Sequence, residues 1–277
     1  MSNKIYLCTL KPISKFFFGG ERTFGDEEET KTNYLVHSNA FPQQTTILGM
    51  LRFELLKQNK PTLLLPISSA NEADVITTIG KESFKIAEIG QTFGYIEKIS
   101  PLFICKRDEI LRFAPRDNVR YTNKKGELVV NEQLEFTNNS TSKAFLFGMD
   151  KTLELPVIEK FNHKHQYQPH FIATDGNSIP FKYDKETKEG IFISDSQIGI
   201  KKGENKKDSK GFYKQFYYRM NKEFTFGFYL ETSQSITEQQ SIVFMGADKS
   251  AFVLTISDAN TATFEDSFGV DETKVVF

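Results

Sequence analysis

The stretch Phe41 to Asn59, FPQQTTILGMLRFELLKQN, constrains the fold of this chain more than any other, because it is a helix with a single apolar stripe. Ile47, Leu48, Leu51 and Leu55 recur at helical spacing, while Arg52, Lys57 and Gln58 fall largely off the stripe. Such a helix lies on a sheet. Thr45 or Thr46 is the expected N-cap, since a hydroxyl there can accept from the free amides of the first turn. Gly49 sits in the first turn, where glycine costs roughly 1 kcal/mol relative to alanine. A close approach is therefore expected at Gly49, either tight packing against a strand or a phosphate or sugar near the positive helix end. The spacing favours packing.

The 277 residues are enough for one large or two medium domains. A formal net charge of -1 does not mark a free-standing nucleic-acid binder, so any such role must rest on local asymmetry. That asymmetry is present. Asp26 to Glu29 is a run of four acids, whereas Lys201 to Glu223 holds eight Lys or Arg against three acids, a local net of +5. Cys8 and Cys105, the two cysteines, are too few for a disulfide framework or a cysteine zinc site and suit a reducing cytoplasm. The N-terminus lacks the apolar core of a signal peptide, and no apolar run reaches the length of a membrane span, so a soluble intracellular protein without a membrane partner is expected.

Read in order, KIYLCTL (4–10) alternates as a first strand, and FFFGGERTFG (16–25) reads as a strand remnant running into a tight glycine loop. After the Phe41 helix, Ser69 and Glu72 have capping-box spacing and Gly80 can end a short second helix. Strand periodicity follows in SFKIAEIG, FGYIEKI, PLFICKRD and EILRFAP, separated by Gly90, Gly94, Pro101 and Pro115. Strand, helix and paired antiparallel strands is the order of a ferredoxin-like βαββ unit. Residues 116–150 read as a connecting hairpin or linker that holds the domain boundary, dividing 1–130 from 131–277. The second part is almost all strand: TLELPVI, QYQPHFIA, EGIFISDSQIGI, GFYKQFYYRM, EFTFGFYLE, SIVFMG and AFVLTIS. SQSITEQQ (233–240) is its weak helix candidate, and KVVF a candidate last strand.

His163, His165 and His170 could be metal ligands, but no cysteine or carboxylate stands at matching spacing, and solvated loop histidines are the better reading. His37 could act as a general base in a metal-free ribonuclease. Two features point to nucleic acid. Lys201, Lys202, Lys206, Lys207, Lys210, Lys214 and Arg219 interleave with Phe212, Tyr213, Tyr217 and Tyr218, cations for phosphates and rings for bases. The glycine turns Gly19-Gly20-Glu21-Arg22 and Gly246-Ala247-Asp248-Lys249 each set backbone amides beside a cation.

The order FFFGGERTFG, FPQQTTILGMLRFELL, IGQTFGYIEKISPLFI, DSQIGI with GFYKQFYYRM, and VFMGADKSAF resembles the RAMP-superfamily subunit that binds the guide RNA 5′ tag in type III-B CRISPR effectors, the Cmr complex. Pro42, Thr45 or Thr46, Gly49 and Arg52 meet its helix motif, and Gly246 to Lys249 its glycine-rich loop. Before Gly199-Ile200 that family carries an acid and an arginine; here Asp195 is the acid and Gln197 takes the arginine's place. The resemblance implies an α+β fold of two ferredoxin-like (RRM-like, RAMP) halves, the second strand-rich. It further implies a non-catalytic RNA-binding subunit without metal or cofactor. Its partners would be the guide RNA tag, the large palm-domain subunit and a neighbouring RAMP backbone subunit. The expected RNA contacts are Arg22, Gly49, Arg52, Lys201, Lys202, Lys206, Lys207, Tyr213, Gly246 and Lys249. The alternatives are a repeat-processing endoribonuclease using His37, and a scaffold docked through the Asp26 loop.

Overall fold

The computed structural model describes residues 3–24, 34–59, 72–81, 83–85, 87–88, 90–107, 109–114, 118–133, 141–145, 152–156, 162–201 and 211–260. In chain order the elements are β1 (Lys4–Pro12), β2 (Phe18–Phe24), β3 (Tyr34–Asn39), α1 (Gln44–Asn59), α2 (Glu72–Ile79), β4 (Ile96–Ile99), β5 (Phe103–Lys106), β6 (Glu109–Phe113), β7 (Asn118–Thr122) and β8 (Leu128–Gln133). They continue with β9 (Thr141–Phe145), β10 (Thr152–Pro156), β11 (Gln166–Tyr167), β12 (His170–Ile172), β13 (Ser178–Pro180), β14 (Phe192–Lys201), β15 (Gly211–Met220), β16 (Phe224–Thr232), β17 (Gln240–Met245) and β18 (Ser250–Asp258). This is a strand-rich α+β fold with two helices among the described residues. None of those helices is long and apolar enough to cross a membrane.

Two compact units form: Met1–Ile110 with Phe192–Phe277, and Leu111–Ile191. The boundary read from the sequence, between residues 130 and 131, falls inside the second unit and inside β8.

The first unit is organised around an antiparallel sheet in which β16 is shared. β16 pairs with β1 on one side and with β4 and β5 on the other, and β1 pairs in turn with β18, and β18 with β17. Thus β4 and β5 belong to one sheet with β1, as the sequence suggests, yet each pairs with β16 and not with the other. Alternation explains the layer beneath. Tyr6, Cys8 and Leu10 of β1, Phe226, Phe228 and Leu230 of β16, and Phe252, Leu254 and Ile256 of β18 are all buried, and the pairing register keeps them on one face. The stripe of α1 is buried too, with Ile47, Leu48, Leu51 and Leu55 joined by Met50 and Leu56. Each such side chain contributes about 1.5–3 kcal/mol of transfer free energy. Glu54 is also buried, and Ser241 Oγ on β17 donates to its carboxylate at 2.9 Å.

Several sequence expectations are corrected. The amides of Thr46 and Ile47 both donate to the carbonyl of Gln43, which makes Gln43 the N-cap and leaves both threonines inside the first turn. Gly49 is exposed, and a Cβ there would meet nothing within 4 Å, so neither a strand nor any other described segment presses on it. The described residues of SFKIAEIG form no strand, and residues 233–239 form no helix. The segment FGGERTF is not a tight loop but β2, with a bulge between Gly19 and Arg22 where its register to β3 shifts. Gly20 is required there, because a Cβ would stand 2.4 Å from the His37 carbonyl oxygen. The second helix does end at Gly80, at φ +78, with the Gly80 amide bonded to Ile76 O. Its expected cap Ser69 lies outside the described residues, as do Asp26 to Glu29 and KVVF.

The second unit contains the antiparallel sheet β11–β7–β8, the β9–β10 hairpin, and β12 paired with β13 and with the last residues of β6. Phe171 is its apolar centre, edge-on to Phe113 and stacked on Phe181.

Candidate nucleic-acid interface

A second, four-stranded sheet of the first unit runs in the order β14–β15–β3–β2, with antiparallel outer pairs and a parallel join between β15 and β3. Its base is anchored in an aromatic cluster. Phe16 bridges to Tyr218 by two backbone hydrogen bonds, and its ring meets Phe18, Phe192, Phe226 and Phe252 at centroid distances of 5.3–6.5 Å. Strand alternation then divides β15 between two faces: Tyr213, Gln215, Tyr217 and Arg219 on one, Lys214, Phe216 and Tyr218 on the other.

The first face is organised in cross-strand rows. Tyr213 pairs with Gly199, Gln215 with Gln197, and Tyr217 with Asp195. On the other side Gln215 pairs with Val36, and Val36 with Arg22, so the backbone position of Arg22 continues the row of Gln197 and Gln215. Lys15 Nζ donates to Gln197 Oε1 at 2.7 Å and stands 4.2 Å from the Tyr217 ring centroid. A cation thus reaches the position where Gln197 replaces the expected arginine. Arg219 Nε donates to Asp195 at 2.9 Å, and this bond holds the Asp195 carboxyl below its ordinary range.

The β17–β18 turn joins this face. Gly246 has φ +74, and a Cβ there would stand 2.9 Å from Phe17 O, so the turn is seated against the β2 entry. Ser250 Oγ accepts from the Phe17 amide, and the Tyr217 hydroxyl donates to the Asp248 carboxylate. Burial first, then Asp248, pushes the Tyr217 hydroxyl upward. Lys249, also at positive φ, is exposed at the end of the same turn. Cations, an exposed turn and a half-buried tyrosine therefore share one face, an arrangement suited to phosphates and bases.

The expected contacts are distributed as follows. Tyr213, Gly246 and Lys249 belong to this face and its adjoining turn, and Arg22 shares its row. Lys201 ends β14, while Lys202, Lys206 and Lys207 lie outside the described residues. Gly49 and Arg52 stand on α1. Arg52 is half-buried and its Nη2 donates to Gly80 O at 3.2 Å, tying α1 to the end of α2, with burial lowering its pKa. Its Nε has no partner among the described residues. Lys15 is an addition from the structure, while Gln197, Tyr217 and Asp248, named in the sequence only within their motifs, gain defined positions on this face. The signal for Lys15 was its place directly before Phe16-Phe17-Phe18, which anchor the sheet base.

On the opposite face His37 lies parallel to Phe216 at 4.3 Å, with Lys214 Nζ 4.8 Å from that ring. His170 is fully buried and its Nδ1 meets Gln168 O, whereas His163 is exposed. No group of three His, Cys, Asp or Glu among the described residues could hold a metal ion.

The profile of the family described as CRISPR-associated protein (Cas_Cmr3) matches residues 8–266. No curated protein matches the chain. Two solved chains align at TM-score 0.39: one from the type III-B Cmr-beta complex bound to cognate target RNA and AMPPnP, at 15% identity, and one from the same complex bound to cognate target RNA, at 14%. Each alignment covers 93% of this chain but only 64% and 65% of those relatives, respectively.

Proposed function

The chain belongs to the CRISPR-associated Cas_Cmr3 family, and from that premise we propose that it is a non-catalytic RNA-holding subunit of a type III-B effector complex in antiviral defence. It grips the repeat-derived 5′ tag of the guide RNA beside the large palm-domain subunit and a neighbouring RAMP backbone subunit. Two ferredoxin-like RAMP halves form its framework. The observation that supports this reading most is the four-stranded face, where Lys15, the Arg22 row, Tyr213 and the Gly246–Lys249 turn come together. A single-stranded tag laid across it meets cations for its phosphates and the Tyr213 ring for a base. Arg22, Lys201, Lys202, Lys206 and Lys207 are proposed as further phosphate contacts, and Gly49 offers an open stretch of helix backbone.

An exposed edge supports a role inside an assembly. β17 ends the strand order of its sheet among the described residues, and its Ile242 and Phe244 are 57% and 62% exposed. Apolar side chains on an unpaired edge suit a neighbouring subunit. Cleavage is not part of the proposal. The imidazole of His37 is engaged face to face with Phe216, and no described carboxylate bonds to it.

The test is a mobility shift of the full chain, alone and with the large subunit, on tag RNA and on a scrambled RNA of equal length. Tag RNA should bind more tightly and remain intact. Equal affinity for both RNAs would refute tag recognition, and cleavage lost in His37→Ala would replace the reading with a ribonuclease.

A further inference from the structure

The second unit has a basic cleft of its own, of about 290 Å³, between the β7–β8 turn and the turn that precedes β11. Both turns are fixed by their asparagines. Asn123 Oδ1 accepts from the amides of Lys125 and Glu127 at 2.8 and 3.0 Å, and Gly126 takes φ +84 to close the turn. Asn162 Oδ1 accepts from the Lys164 amide at 3.0 Å, and its carbonyl from the His165 amide at 2.8 Å. With the backbone satisfied locally, what the turns present to the cleft is side-chain charge.

That charge is positive. Lys124, Lys125 and Lys164 are exposed and form no ion pair among the described residues. The one acid, Glu127, is already occupied by Asn123 Nδ2 at 2.6 Å. His165 lines the same cleft, and its Nδ1 is buried without a partner among the described residues. Two residues on, Tyr167 is 39% exposed and packs edge-on against Tyr121 at 5.7 Å, which stiffens a ring open to solvent.

We propose that this cleft is a second RNA site, binding the phosphodiester backbone of a single strand without sequence preference. The three lysines neutralise phosphates, and the Tyr167 ring receives a base. An acidic peptide would satisfy the lysines but leave the open tyrosine ring without a role. The inference takes its ligand class from the RNA-holding reading but rests on different residues.

The experiment follows anisotropy of fluorescein-labelled oligouridine, unrelated to any tag, with the full chain across a salt series. Reversing Lys124, Lys125 and Lys164 to glutamate should lower the slope of log affinity against log salt by about 2, near 0.7 for each phosphate contact. Tyr167→Ala should weaken binding about 5- to 150-fold with the slope unchanged. The control reverses Lys182, Lys185 and Lys188, exposed lysines of the same unit, and should leave affinity within twofold. Equal effects from both triple variants, or no effect from the first, would overturn the proposal. So would binding of labelled polyglutamate in place of oligouridine. Oligouridine binding that depends on the cleft, in a chain indifferent to tag RNA, would keep this site and retire the tag reading.

Discussion

The ring of Tyr213 lies across Gly199, its partner on the neighbouring strand, so closely that a Cβ at residue 199 would stand 2.0 Å from the ring's Cζ. Glycine is needed here because the tyrosine ring occupies the space of a Cβ on β14. The same ring stiffens a strand position that would otherwise lack a side chain to pack.

Gly199→Ala should therefore displace Tyr213, because the far end of a side chain yields more easily than two hydrogen-bonded strands. Tag affinity should fall by about 1–3 kcal/mol, as in Tyr213→Ala, with the thermal transition nearly unchanged. Binding lost in Tyr213→Ala but kept in Gly199→Ala would show that the ring works from another position.

Leu51 is 2% exposed in the centre of the α1 stripe. Leu51→Asp would bury an unpaired carboxylate and should cost about 4 kcal/mol or more, unfolding the first unit. Circular dichroism melting reads this directly, and a native-like transition would mean that this face of α1 tolerates charge.

Much of this fold was legible because its periodicities are strong. Phe192–Lys201, Gly211–Met220, Phe224–Thr232 and Ser250–Asp258 each coincide with a strand-like run in the sequence. Strand partners were not legible. Nothing local to KIYLCTL shows that its neighbours, β16 and β18, come from more than 200 residues away. The misreadings share a physical cause. Paired glycines in FFFGGERTFG signal a turn on composition, yet here one of them serves a bulge that needs close backbone approach. Gly49 signals close approach, yet open space surrounds it. The interface was half visible for the same reason. Tyr213 and the Gly246 turn stood out by residue type, whereas Lys15 gains its role from a partner 182 positions away.

His170 gives the second unit a dependence on pH. Burial first, with Arg120 adding to it, lowers its pKa below the ordinary 6.5 against the opposing hydrogen bond to Gln168. The folded form then stays neutral while the unfolded chain takes up a proton as pH falls through about 6.5. Stability is complete above that value and declines below it, by at most about 1.4 kcal/mol per pH unit, until the folded pKa is passed. His170→Gln removes this titration, so chemical denaturation of the variant from pH 7 to pH 5 should show a shallower loss than wild type. Parallel curves would contradict the assignment.

The final prediction separates the two kinds of contact on the proposed tag face. Lys15 donates to Gln197 Oε1 and stands over the Tyr217 ring, leaving its charge on the surface along the Arg22 row. An ammonium that neutralises one phosphate releases about 0.7 of a counterion from a single strand, so Lys15→Gln should flatten the salt slope by that amount. Its effect on tag affinity should shrink as salt rises. Tyr213 acts by stacking, and Tyr213→Ala should cost the same free energy at every salt concentration. Combining the two should give additive losses if they meet different nucleotides. A Lys15→Gln variant with the wild-type slope would assign Lys15 to orienting Gln197 and Tyr217 within the sheet. The cationic track would then have to run through Arg22 and Lys249.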